Sequence, residues 1–324
     1  MDLGEIILPI ASELHILENR IEKLLSSDYQ LVNELVKHIN GKKGKRIRSC
    51  LMFLLGKSFD DIDDKLINYA ALVEILHNAT LIHDDVVDNA NERRGVPSVN
   101  AKWNNKVSVL LGDYLFAKGF KTVYSYNDFE MLNIFSETIS TMSEGELYSI
   151  QLSNSNIYSE DSYYKIIYSK TAILIESACK ITAMLHTKDK TIIDTLSEFG
   201  KNIGMSFQLT DDIFDYLSVH QLIGKPIGND IREKQITLPL IYSLNNTDDK
   251  QKEQFVEMIK KPLISNEEIS LLINFAMENN GLEYTKQKAK YFSNEAIKKL
   301  DIFPNSEIKE KLIHYANFIV ERNK

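Results

Sequence analysis

Two cysteines, Cys50 and Cys179, are all that the 324 residues contain. That is too few for a disulfide framework and fits a reducing compartment. Only 6 prolines and 13 glycines are spread along the chain, with no linker-like tract, low-complexity segment or internal repeat. One continuous domain over residues 1–324 is therefore expected rather than a string of modules or a solenoid. Also missing is any apolar run approaching the roughly 20 residues of a membrane-spanning helix, so bilayer contact is expected to be peripheral at most. The opening MDLGEIILPIASELHILENR places Asp2 and Glu5 ahead of a short apolar run, where a secretory leader carries positive charge. A cytoplasmic location is expected. Finally, a basic surplus is absent: the formal net charge is -8. A general nucleic-acid binder, which draws its affinity from Lys and Arg on phosphates, is excluded.

What is present is apolar residues, 44% of the chain, recurring at three- and four-residue spacing, as in Leu66, Tyr69, Ala70, Val73 and Leu76. Strand-like alternation is nearly absent. The pattern predicts helices over 3–25, 28–40, 44–57, 64–91, 104–126, 128–153, 159–185, 188–219, 236–245, 248–260, 265–281, 283–300 and 304–323. The fold expected is all-α, a single large helical bundle around a central cavity. Gly41 to Gly44, Gly95 to Pro97 and Gly224-Lys225-Pro226-Ile227-Gly228 break the helices. The last two follow clusters of aspartate, where a mobile basic loop could close over a charged substrate.

Those clusters share the spacing D-D-x-x-D, which chance should supply about 0.1 times in such a chain. It occurs three times. Asp60-Asp61-Ile-Asp63-Asp64 precedes an amphipathic helix and reads as capping, with carboxylates complementing the positive end of the helix dipole. Asp84-Asp85-Val-Val-Asp88 and Asp211-Asp212-Ile-Phe-Asp215 lie in apolar surroundings and read as helix-interior positions where capping is unavailable. On a helix, residues i, i+1 and i+4 share one side, and like charges so placed cost about 0.2–0.5 kcal/mol per pair. A cation between them removes that cost. Magnesium suits the geometry, because it takes one or two carboxylates and completes its octahedron with water and phosphate oxygens. His77, Asp84 and Asp88 fall on one helical line, and Gln208, Asp211, Asp212 and Asp215 on another. Two such stripes facing each other would line a cavity. Taken singly, KKGKRIR would be a solvated charge run and His77 a satisfied core histidine.

With GKRIR at 44–48, LHNATLIHDDVVDNANERRG at 76–95, SVLLGDYLFAKGF at 108–120, EGE at 144–146, SKTA at 169–172 and QLTDDIFDY at 208–216 followed by GKPIGNDIREKQITLPLI, the chain resembles the polyprenyl synthetase family of trans-isoprenyl diphosphate synthases over nearly its whole length. The resemblance implies a magnesium-dependent prenyltransferase and a homodimer. An allylic diphosphate bound through several Mg2+ ions to Asp84, Asp88 and Asp211 would ionise to a carbocation. Isopentenyl diphosphate would then attack through its double bond and lose a proton. By carry-over, Lys45, Arg48, His77 and Arg94 hold isopentenyl diphosphate and Arg93 the allylic diphosphate, guanidinium groups binding phosphate in a bidentate fork. Lys170, Thr171, Gln208 and Lys225 close the allylic side, while Asp85, Asp212 and Asp215 complete the metal-binding aspartate sets, Asp85 and Asp215 as supporting carboxylates. The sequence departs from the family where its double glycine and trailing proline read Lys43-Gly44 and Ser49, and where its Gly-Lys before T-L-P reads Lys234-Gln235.

In this family the residues just before the first aspartate motif floor the elongation tunnel, and bulky side chains there end growth early. Here they are Ala79 and Thr80, about 6 to 7.5 Å below Asp84 along the helix. Small side chains imply an open floor and a long product of quinone side-chain length, with Leu76 and Val73 lining the deeper tunnel. A geranylgeranyl or farnesyl diphosphate synthase is the shorter-chain alternative. A terpene cyclase would carry an Asn/Ser/Glu-type second motif, and a catalytically weak subunit of a two-component synthase would lack aspartate motifs. This chain has both motifs.

Overall fold

A computed structural model describes residues 3–41, 44–153, 158–217 and 228–322. In chain order the helices are α1 (Leu3–Ile7), α2 (Ala11–Leu25), α3 (Gln30–Asn40), α4 (Ile47–Phe59), α5 (Asp64–Val87), α6 (Val99–Lys102), α7 (Asn105–Ser125), α8 (Phe129–Ser153), α9 (Glu160–Ile167), α10 (Ile173–His186), α11 (Lys190–Tyr216), α12 (Asn229–Arg232), α13 (Leu238–Asn245), α14 (Asp249–Lys260), α15 (Asn266–Glu278), α16 (Gly281–Lys299) and α17 (Glu307–Glu321). Among the described residues the strands are one antiparallel pair, β1 (Glu92–Arg93) and β2 (Val96–Pro97). The all-α expectation holds, and nearly every predicted helix is found within a few residues of its bounds.

Contacts group the chain into two units, Met1–Glu137 with Ser177–Ser197 and Phe303–Leu312, and Thr138–Glu176 with Glu198–Ile302 and Ile313–Lys324. In the first, α5 is buried on nearly all sides, from Leu66 to Ile82, against α2, α4 and α7. Its sequence is accordingly apolar all round rather than amphipathic. In the second, α13 is the inner helix. Leu240 and Leu244 join Tyr216, Leu272 and Phe275, while Leu238 and Ile241 join Tyr163, Ile167 and Leu209.

Three departures from the predicted elements have local causes. The helix expected over 3–25 is interrupted by a 3₁₀ turn at Leu8–Ile10, where Pro9 lacks the N–H an uninterrupted helix requires. The helix expected over 64–91 stops at Val87, because Asn89 takes a left-handed φ of 51°. Ala90 N–H then bonds back to Asp85 O at 2.9 Å, a closure that satisfies the terminal carbonyls. The hairpin that follows is too short for a period-two signal. Its turn residues Arg94 and Gly95 both have positive φ, as a type I′ turn requires.

The capping expectation for the Asp60 cluster is met by Asp63, whose side chain accepts from Leu66 N at 2.7 Å at the start of α5. Asp63→Ala is expected to cost about 1 kcal/mol of stability in a thermal or urea melt and to leave turnover unchanged.

Candidate active site

Asp84, Asp85 and Asp88 occupy the end of α5, with Asp88 as its C-terminal cap residue. Asp211, Asp212 and Asp215 likewise occupy the last turns of α11. The helix-interior placement expected for both motifs is thus corrected: each closes a long helix. That sharpens the electrostatic argument, since a helix C-terminus carries the negative end of the dipole and favours cations. At the N-terminus of α5 the acidic cluster is at home; at its other end it requires compensation.

Within the first motif the carboxylates diverge. Asp85 is buried and accepts Arg93 Nε at 2.8 Å and a further bond from Nη2, while Asp84 is half-buried and Asp88 exposed. Arg93 therefore meets a carboxylate, and Asp85 supports the β1–β2 hairpin. The basic residues converge in the same unit. The His77 ring is driven far below its ordinary pKa by burial and then by the fields of Arg48, Arg94, Arg93 and Arg46, so it is neutral near pH 7. A methyl group on Gly44 would lie 2.7 Å from Arg94 Nη2. Glycine is what lets the 44–48 loop run against that guanidinium. Lys45, the next residue, is exposed. A cavity of about 50 Å³ is bounded by Asn78, Asp85, Arg93 and Arg94 among others. The fields of four arginines thus converge on one neutral imidazole, the electrostatics an anion would favour.

In the second unit, Lys170 and Thr171 lie in one turn of π-helix, Tyr168–Ala172, between α9 and α10. A side chain on Gly145 would strike Ser169 Cβ at 2.3 Å, so α8 and this turn touch at a glycine. Its neighbour Glu146 pairs with Lys170 at 2.8 Å. The EGE segment thus positions the Lys-Thr pair, and such single-turn insertions concentrate at functional sites. From there a relay runs through Thr171 Oγ1 to Gln208 Oε1 at 2.6 Å, Gln208 Nε2 to Asp212 Oδ1 at 2.7 Å, and Tyr163 OH to Asp212 Oδ2 at 2.6 Å. These residues border a cavity of about 130 Å³.

The three aspartates of this motif have distinct surroundings. Asp212 is buried, and its carboxyl is pushed up to about 7. Burial raises it most, the bonds from Tyr163 and Gln208 pull it back, and Asp211 and Asp215 raise it further. Because the folded chain holds this proton more tightly than the unfolded one, the stabilisation is present at low pH and is lost as pH rises from about 4 through about 7. Asp212→Asn, which keeps the neutral form, is expected to flatten the fall in Tm of metal-free protein between about pH 5 and pH 8. Asp215 accepts the backbone N–H of Asn229 and of Asp230, both at 3.0 Å, and so orders the entry to α12. Asp211 is 40% exposed, and Arg322 Nη2 meets it at 2.7 Å.

Two participants were not foreseen in the sequence. Arg322 is buried at the end of the described chain, stacked on Phe207 and bonded to the Phe207 carbonyl; nothing local marks it out. Asp230 joins the second cluster, its carboxyl pushed well up by burial and by Asp215 and Asp212. Its signal was only its position in GNDIREKQITLP. Lys225 lies outside the described residues. Lys234, at the family's glycine position, adopts φ 64°. Its ammonium bonds to the carbonyls of Ile259, at 2.7 Å, and Lys261, which ties it to the end of α14 instead of a phosphate. Ala79 is fully buried and Thr80 half-buried, its hydroxyl folded back onto the His77 carbonyl at 2.9 Å. Leu76 and Val73 are core residues.

Among the described residues, no group of three or more His, Cys, Asp or Glu side chains is arranged to hold a metal ion unaided. No described helix is long and apolar enough to cross a membrane.

An all-helical chain with two aspartate clusters at helix C-termini and a basic pocket belongs among enzymes that handle diphosphates. Residues 29–281 match the polyprenyl synthetase family. The octaprenyl diphosphate synthase of Escherichia coli is 34% identical over 303 residues, 93% of either chain. A decaprenyl diphosphate synthase structure from Rhodobacter capsulatus superposes with a TM-score of 0.93 at 28% identity, covering 100% of both chains. A polyprenyl synthase from Caulobacter crescentus, solved with calcium and isoprenyl diphosphate, gives 0.91 at 28% identity over 100% of this chain and 98% of that one. The chain belongs to the polyprenyl synthetase family and is a prenyltransferase of the trans-isoprenyl diphosphate synthase type.

Proposed function

We propose that this chain condenses isopentenyl diphosphate with a farnesyl- or geranylgeranyl-type allylic diphosphate to give a long-chain polyprenyl diphosphate. The observation that carries the reading is the pair of aspartate clusters at the negative ends of α5 and α11. Two considerations favour a long product over a geranylgeranyl or farnesyl one: the octaprenyl and decaprenyl enzymes above, and small Ala79 and Thr80 ahead of the motif. Such a product serves quinone side chains.

The donor set fits magnesium. Accessible carboxylates are hard oxygen ligands, and an ion that keeps waters and phosphate oxygens needs only one or two of them. Asp84 and Asp88 at the end of α5, and Asp211 at the end of α11, would hold such ions, which when bound supply charge neutralisation for a departing diphosphate. By the family resemblance, Arg93, Lys170, Thr171, Gln208 and Lys225 orient the allylic diphosphate. Lys45, Arg48, His77 and Arg94 bind isopentenyl diphosphate. His77, neutral, donates or accepts one hydrogen bond without adding charge. Asp85, Asp212 and Asp215 act on their neighbours: they hold Arg93, Gln208 and the entry to α12.

We further read residues 1–324 as one catalytic domain, working in the cytoplasm as a homodimer. Val109, Leu110 and Tyr124 project from α7 into solvent, an apolar face that a second copy would cover. A two-component assembly is the other reading, and mixing with no second subunit separates them. Purified protein given magnesium, labelled isopentenyl diphosphate and a farnesyl primer is expected to incorporate label; no magnesium-dependent incorporation would sink the proposal.

A further inference from the structure

Arg46 sits in the middle of the basic loop, and its side chain is buried between two carboxylates. It is 8% exposed. Nε and Nη2 grip Glu18 Oε1 and Oε2 of α2 at 2.8 and 3.1 Å, and Nη1 reaches Glu74 Oε2 of α5 at 3.2 Å. Glu74, 3% exposed, also accepts Ser49 Oγ at 2.7 Å and Ser49 N at 3.3 Å. Burial opposes the charge on Arg46, and its bonds to Glu18 and the fields of both carboxylates more than offset that, so its pKa is raised. The backbone of Arg46 is left-handed, φ 49° and ψ 40°, immediately before α4, a conformation side chains other than glycine rarely adopt. A residue in that conformation persists only where its surroundings over-determine it. Here the fork to Glu18 and Glu74 does so.

The kink has a consequence on either side. Lys45 precedes it and Arg48 lies in the first turn of α4 after it, while Glu74 lies one turn before His77 on α5. The anchor therefore ties the loop to the helix that carries His77. We infer that Arg46 is a positioning residue: its buried fork to Glu18 and Glu74 holds the left-handed kink that brings Lys45 and Arg48 together with His77 as the isopentenyl diphosphate pocket. This rests on the reading of Lys45, Arg48 and His77 as that pocket. A side chain that touches no substrate sets affinity for one substrate and not the other.

Arg46→Lys keeps the charge and loses the fork, and the triple variant Glu18→Gln, Arg46→Gln, Glu74→Gln removes every charge in the network, so that no carboxylate is left buried and unpaired. Steady-state kinetics with each substrate varied, alongside thermal melts, are to be run on both and on Arg48→Ala. For folded Arg46 variants, KM for isopentenyl diphosphate is expected to rise about tenfold or more, with KM for the allylic primer within about twofold of the parent. A purely structural role would lower Tm or kcat and leave both KM values in place. That result, or failure of both Arg46 variants to fold, would overturn the inference. If Arg48→Ala also leaves KM for isopentenyl diphosphate unchanged, it is the assignment of the pocket that fails.

Discussion

Asp84→Asn is expected to leave the fold intact and to lower kcat about a thousandfold, the scale on which loss of one charge-stabilising contact to a developing oxyanion is felt. The substitution removes a carboxylate from the C-terminal end of α5, where the dipole is negative. By the electrostatics of the helix alone it should stabilise the metal-free protein slightly. A loss of turnover together with an unchanged or raised Tm is the signature of a residue kept for its ligand. Asp63→Ala, at the other end of the same helix, is expected to show the reverse: lower Tm and full turnover. Stopped assays at saturating substrate and paired thermal melts read both. Equal turnover in Asp84→Asn and the parent would contradict the metal-site reading.

The second large effect concerns product length. Thr80 is half-buried and lies about 6 Å before Asp84 along α5. Its hydroxyl turns back to the His77 carbonyl, so that its remaining branch is a methyl group. Thr80→Phe is expected to shorten the main product by several isoprene units, read by reversed-phase chromatography of the dephosphorylated alcohols. Ala79, expected from the sequence to share the floor, is wholly enclosed. Ala79→Phe is therefore expected to overpack the core at about 1–3 kcal/mol, and the melt should report it before the product does. An unchanged product distribution in Thr80→Phe would place the floor elsewhere.

The helices could be read from spacing because a bundle writes its core at intervals of three and four residues, and α5 could be found even though it is apolar all round. Their ends could not. Asn89 and Pro9 act through backbone geometry over a residue or two, and stopping α5 at Val87 instead of 91 changes Asp88 from a mid-helix residue into a cap. The aspartate motifs were legible because their local density is improbable. Their division of labour was not, because it depends on partners distant in sequence: Arg93 for Asp85, Tyr163 for Asp212, the α12 backbone for Asp215 and Arg322 for Asp211. Arg46 shows the same limit from the other side. Within GKRIR it is one cation among several, and only Glu18 and Glu74, 28 residues away in either direction, separate it from its neighbours.

The central claim of the proposed function is that the aspartate clusters, at the end of α5 and at the end of α11, each act on diphosphate through divalent cations. Calorimetric titration of the protein with a non-ionisable thiolodiphosphate analogue of farnesyl diphosphate, with magnesium and with EDTA, tests it most directly. Binding is predicted with magnesium, and is predicted to vanish both in EDTA and in Asp84→Asn. Equal affinity with and without the metal would contradict it.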